Sequence, residues 1–140
     1  MTKGGEVGPL FAAFLDRVKR MGPVGVSLVE AFDEEALLAL TEAASLGFAA
    51  PYLVGDEEKV RELTSRLGIP LDGAVLVDAK TTAEAAKAGV ALVRDGACKV
   101  LMKGKIGTSA LLKAALDKEE GLRTGRILSH VAALETPGYD

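Results

Sequence analysis

The sequence predicts an α/β fold, a three-layer α/β/α arrangement around a mainly parallel sheet. Three observations carry that expectation. Short, almost uninterrupted apolar runs recur along the chain, as in strands buried on both faces. A stretch of helical periodicity follows nearly every run, and capping residues, glycine or proline mark the boundaries. The length of 140 residues suits a single α/β domain spanning 1–140.

Residues 9–21 come first, a helix with Pro9 in its opening turn and Leu10, Phe11, Phe14, Leu15 and Val18 on one face. The run Val24-Gly25-Val26-Ser27-Leu28-Val29 is the first strand. Asp33, Glu34 and Glu35 then open a helix whose periodicity lasts to Leu46, with Gly47 in the position that ends a helix. Pro51-Tyr52-Leu53-Val54-Gly55 is the second strand, and Asp56 is placed to cap the helix that starts at Glu57 and stops at Gly68. Ala74-Val75-Leu76-Val77 is the third strand. Thr81-Thr82-Ala83-Glu84 reads as a capping box before the helix 85–94. Cys98-Lys99-Val100-Leu101-Met102 is the fourth strand, and Thr108 leads into a helix over 109–118. The run 126–134, from Arg126 through Ile127, Leu128 and Val131 to Leu134, is expected as a fifth strand before a Thr136-Pro137-Gly138-Tyr139 turn.

Composition narrows the function. Hydrophobic residues at 49% and charged residues at 26% exclude a disordered chain. One cysteine and one histidine cannot build a Cys/His zinc cluster or an internal disulfide, so no metal is expected. No apolar run approaches the ~20 residues of a membrane span, and the opening Met1-Thr2-Lys3-Gly4-Gly5-Glu6 is not a secretory leader. A cytoplasmic protein without membrane attachment is therefore expected. Charge is unevenly placed. Residues 1–98 carry net −5, residues 99–126 net +4 and the remainder −2, for a total of −3. A basic segment inside an acidic chain suits a small anion, and with 4% aromatics and no Trp there is little for a nucleic acid to stack on.

In a parallel α/β sheet, ligands gather outside the carboxyl ends of the strands. The most pointed sequence there is Lys103-Gly104-Lys105-Ile106-Gly107-Thr108-Ser109, which leaves a strand, carries two lysines and two glycines, and enters a helix. Its order is wrong for a Walker A loop, but lysine charge, close backbone approach and a helix N-terminus all favour an anion. The same residues also fit a solvated loop with an ordinary cap. A second cluster, Gly121-Leu122-Arg123-Thr124-Gly125-Arg126 running to Ser129 and His130, offers two guanidinium groups suited to phosphate or carboxylate, or else a plain polar connection. His130 in mid-strand fits packing better than catalysis, and Cys98 fits a buried, inert thiol. Glu30 and Asp33, after the first strand, either cap a helix or face the cleft, and capping is the simpler account of Asp33.

Taken in register, four stretches resemble the phosphate acetyl/butyryl transferase family. They are Val26-Ser27-Leu28-Val29-Glu30-Ala31-Phe32-Asp33-Glu34-Glu35, Leu46-Gly47-Phe48 through Asp56, Leu101-Met102-Lys103-Gly104 with Thr108, and Gly121-Leu122-Arg123-Thr124-Gly125-Arg126-Ile127-Leu128-Ser129-His130-Val131. The last two look most like the phosphate butyryltransferase branch. The first is similar to the Pro-Glu-Gly-x-Asp loop of the acetyltransferases, with Val29 where they carry Pro.

The resemblance implies two α/β domains, similar to the isocitrate/isopropylmalate dehydrogenase fold, with the active site between them. It implies acyl transfer between coenzyme A and phosphate, with acyl-CoA and phosphate as substrates and no bound cofactor. It makes Lys103, Gly104, Lys105, Thr108, Arg123, Arg126, Ser129 and His130 substrate-binding candidates. The family's main catalytic Ser, Arg and Asp fall in a later portion than the one matched, so no residue here is given a catalytic role. The chain is accordingly expected to be an N-terminal substrate-binding domain, inactive alone, with a homo-oligomer or a separate second-domain chain as partner. A stand-alone phosphate/CoA-binding or regulatory module is the alternative.

Overall fold

A computed structural model describes residues 7–135. In chain order the elements are α1 (Pro9–Arg20), β1 (Val24–Val29), α2 (Glu34–Ser45), β2 (Ala49–Gly55), α3 (Glu57–Leu67), β3 (Val75–Asp78), α4 (Thr82–Arg94), β4 (Val100–Lys103) and α5 (Thr108–Ala115). Among the described residues the sheet has four strands in the order β3-β2-β1-β4. All three pairings are parallel, with Leu28 opposite Leu53 and Met102.

The predicted caps form. Asp33 accepts from the Ala36 N–H at 3.0 Å and Asp56 from the Glu58 N–H at 3.1 Å. Thr81 accepts from the Glu84 N–H at 3.2 Å, while the Glu84 carboxylate accepts from the Lys80 N–H at 3.1 Å, so the reciprocal half of the box closes one residue early. Each such cap stabilises its helix by about 1 kcal/mol. Gly68 takes the left-handed conformation (φ 67°) that ends α3.

The sheet divides the core into two layers by strand alternation. Leu28 and Leu53 face α2 and α3, packing with Leu37, Leu40, Val60 and Leu63. Val29 and Val54, one residue on, face α4 and α5 with Ala85, Ala86, Ile106 and Leu111. The three-layer α/β/α expectation holds. Ser27 is fully buried on the α4 side, and its hydroxyl donates to the Gly89 carbonyl at 3.0 Å. A Cβ at residue 89 would collide with Val29, so only glycine lets α4 lie this close to β1.

Three expectations need correction. The fifth strand at 126–134 does not form: residues 122–135 run as irregular chain, with Ile127 95%, Val131 86% and Leu134 88% exposed. An apolar run specifies a strand only where a neighbouring strand takes its backbone bonds, and this segment joins no ladder. β4 starts at Val100, not Cys98, because the Cys98 N–H is taken by the Leu92 carbonyl (3.0 Å) at the end of α4. α5 stops at Ala115 because Asp117 accepts from the Glu119 and Glu120 N–H groups (2.9 and 2.8 Å) in a local turn. The apolar face of α1 also stays uncovered, with Leu10 and Phe14 each 63% exposed and no residue of the helix buried. The turn expected at 136–139 lies outside the described residues.

Candidate anion-binding crevice

The chain steps outward from β1 to β2 to β3 and then returns across the sheet to place β4 on the other side of β1. α2 packs on one face of the sheet and α5 on the other, so the connections leaving β1 and β4 diverge. They meet in backbone hydrogen bonds at the carboxyl ends before parting, at the place where open α/β sheets hold ligands. The candidate site there is made by residues 30–33 after β1 and residues 103–108 after β4.

Loop 103–108 is built, not merely polar. The Gly104 N–H donates to the Val29 carbonyl and the Lys105 N–H to the Glu30 carbonyl, both at 2.9 Å. Gly104 is buried, and a Cβ there would collide with those same two carbonyl oxygens. Ile106, 1% exposed, anchors the loop in the layer beneath α4 and α5. With the backbone pinned, the side chains of Lys103 and Lys105 stand exposed on either side of Gly104. The Lys103 ammonium makes one contact at the outer limit of hydrogen bonding, 3.5 Å to the Gly104 carbonyl.

Thr108 and Ser109, both exposed, open α5. Its N-cap is Gly107, no side chain caps it, and no acidic residue lies in its first turn. By contrast α2, α3 and α4 each have a side-chain cap and at least one Glu in the first turn. The positive end of the α5 dipole is therefore left unneutralised beside two lysines. α1 has the same bare start, and there the chain itself supplies an anion: the Glu135 carboxylate accepts from the Leu10 and Phe11 N–H groups at 3.0 and 3.3 Å.

Glu30, whose role residue type alone leaves open, lies on the facing connection after β1. It has φ 54°, in the left-handed region, and its carboxylate accepts from the Thr82 hydroxyl at 3.3 Å. Thr82 also lines a groove of about 450 Å³ between α4 and α5, floored by Ala86, Val90, Ala110 and Ala114.

The opposite end of the same carboxyl edge is already satisfied. Lys80 lies 3.3 Å from Asp56 and 3.2 Å from Asp78, and Asp78 also accepts from the Glu57 N–H at 3.0 Å. That backbone bond, with help from Lys80, holds the Asp78 carboxyl below the usual range, and the hydrogen bond to Asp78 holds the Lys80 ammonium above its own.

Arg123, Arg126, Ser129 and His130 all lie on the exposed segment 122–135. The structure gives them no side-chain hydrogen bond or ion pair to another described residue, those of loop 103–108 included. Cys98 is 2% exposed, and burial pushes its thiol up, away from the reactive thiolate. No cluster of three or more His, Cys, Asp or Glu suited to a metal occurs among the described residues. No helix among them is long and apolar enough to cross a membrane.

No protein-family model matches the chain. Curated proteins do. The chain is 35% identical over 130 residues to a phosphate butyryltransferase of Clostridium beijerinckii, covering 93% of this chain and 43% of that protein. It is 41% identical over 116 residues to a probable phosphate butyryltransferase of Bacillus subtilis, covering 82% and 38%. It is 36% identical over 107 residues to a phosphate acetyltransferase of Rhizobium meliloti, covering 76% and 34%. The chain thus spans well under half the length of the curated relatives it matches.

Proposed function

Because the chain belongs with the phosphate acetyl/butyryl transferases as a homologue of their N-terminal part, we propose that it forms the anion-binding portion of a phosphate acyltransferase. The reaction is acyl-CoA plus phosphate to acyl phosphate plus CoA: a phosphate oxygen attacks the thioester carbonyl carbon, the C–S bond breaks, and CoA leaves as thiolate. Both substrates are anions, so much of the enzyme's task is holding them in register and stabilising charge. One observation carries the reading: the loop 103–108, pinned by β1, presents Lys103 and Lys105 beside the uncapped start of α5 at the switch point of the sheet. In this reading Thr108 and the free N–H groups of α5 orient phosphate oxygens while the lysines supply charge. Arg123, Arg126, Ser129 and His130 add further anion contacts once a partner surface orders their segment.

The chain alone binds without turning over. Calorimetric titration with CoA and a thiol-release assay with butyryl-CoA or acetyl-CoA plus phosphate test both halves of this. Binding without enzyme-like turnover is expected, robust turnover contradicts inactivity, and no binding at millimolar CoA contradicts the anion-site reading. The second reading, a stand-alone phosphate/CoA-binding or regulatory module, draws support from the loop being held wholly by residues of this chain. A reading frame continuing downstream into the rest of an acyltransferase would argue against it.

The uncovered faces of α1 (Leu10, Phe14) and of segment 122–135 (Ile127, Val131) suit a partner, either a second copy or a second-domain chain. Sedimentation showing a monomer stable to dilution would count against self-association. The buried, unpaired Cys98 and an acyl-CoA substrate both fit the cytoplasm.

A further inference from the structure

We propose that Glu30 is a positioning residue for the anion loop, acting through its backbone, in an inference that rests on the crevice being an anion site. Glu30 is the non-glycine residue with positive φ among the described residues, at 54°. A side-chain-bearing residue adopts this conformation at a cost, and it persists where surrounding contacts fix it.

Those contacts converge on Glu30 from three neighbours. The next N–H, of Ala31, is taken by the Val54 carbonyl of β2 at 3.0 Å. The Glu30 carbonyl accepts from the Lys105 N–H at 2.9 Å. The carboxylate is held by Thr82 at the start of α4 and is ion-paired with neither crevice lysine among the described residues. On the facing connection, Gly104 has no Cβ because the Val29 and Glu30 carbonyls occupy that space.

The left-handed turn at residue 30 therefore does two things. It aims a carbonyl across the switch point so that Lys105 is fixed beside the start of α5. It also directs the Glu30 carboxylate to Thr82, while the Asp33 carboxylate caps α2, leaving both lysines free for a ligand. The strained backbone, not the charge, is what the loop requires.

This predicts that loop order and anion affinity follow tolerance of positive φ. Glu30→Asn and Glu30→Gly accept the conformation, whereas Glu30→Val strongly resists it. The test is amide hydrogen exchange at Lys105 by NMR together with calorimetry using CoA and inorganic phosphate. Asn and Gly variants should keep Lys105 protection and bind CoA at least as tightly as the parent chain. The Val variant should lose that protection and bind about tenfold more weakly, while the amides of β1 stay protected. A purely structural role would lower the melting temperature without changing affinity in the folded protein. Should Glu30→Val not fold, Glu30→Ala gives the same ordering with a smaller loss. Parent-like Lys105 protection in the Val and Ala variants would overturn the proposal, as would equal loss in Asn, Gly and Val. If the parent chain binds no anion, the proposed function fails, and Lys105 exchange still decides the role of Glu30.

Discussion

Loop 103–108 and segment 122–135 carry similar side chains: two basic residues, an isoleucine directly after the second, and at least one hydroxyl. The first is fixed by two 2.9 Å backbone bonds to β1 and by Ile106, which is 1% exposed. The second has its equivalent apolar residue, Ile127, 95% exposed, and leaves Arg123 and Arg126 without side-chain partners. Residue type supplies the chemistry of an anion site, but buried backbone bonds and an apolar anchor decide whether that chemistry is held in one place. Ordering a lysine or arginine costs side-chain entropy, which only a preorganised loop has already met.

The largest effect should come from the two isoleucines. Ile106→Ala removes a fully buried side chain from the layer under α4 and α5 and should cost about 2–5 kcal/mol with loss of CoA binding. Ile127→Ala should change stability by no more than about 0.5 kcal/mol. Chemical denaturation followed by circular dichroism measures both, and equal losses would break the contrast.

The charged pairs come next. Replacing Lys103 and Lys105 together by Ala should weaken CoA binding to the chain by about 10–100-fold, as expected for losing charge-assisted contacts. Replacing Arg123 and Arg126 together should change it by less than about threefold, since nothing orders them. Calorimetry at one fixed ionic strength compares the two.

The smallest effect concerns the satisfied end of the carboxyl edge. Asp78 has a folded-state carboxyl held low, mainly by the Glu57 N–H. Its carboxylate therefore stabilises the fold above its unfolded value, and that contribution disappears as pH falls from the unfolded value through the lower folded one. Thermal melts across that range should show Asp78→Asn less sensitive to acid than the parent chain. Equal sensitivity would mean that the Glu57 and Lys80 contacts do not persist in solution.

Much of the fold was legible because its signals are local. β1 has the bounds read from its apolar run, Val24–Val29, and Asp33, Asp56, Thr81 and Gly68 begin or end the helices assigned to them. Errors arose where local pattern needs a distant partner. The run 126–134 reads as a strand but finds no ladder, and α1 is amphipathic but finds no surface for Leu10 and Phe14. For the crevice, the lysines and glycines of 103–108 were legible, and their neighbours across the switch point were not. That Gly104 must lack a Cβ, and that Glu30 turns left-handed to meet Lys105, depend on how closely β1 and β4 approach, a distance no residue pattern encodes.

The most direct test of the crevice as the anion site is an NMR titration of the labelled chain with CoA, following backbone amides. Shifts concentrated at 103–110 and around Glu30, with 123–131 unchanged, are the predicted result. Shifts concentrated at 123–131, with the amides of Gly104, Lys105 and Thr108 unmoved, would contradict it.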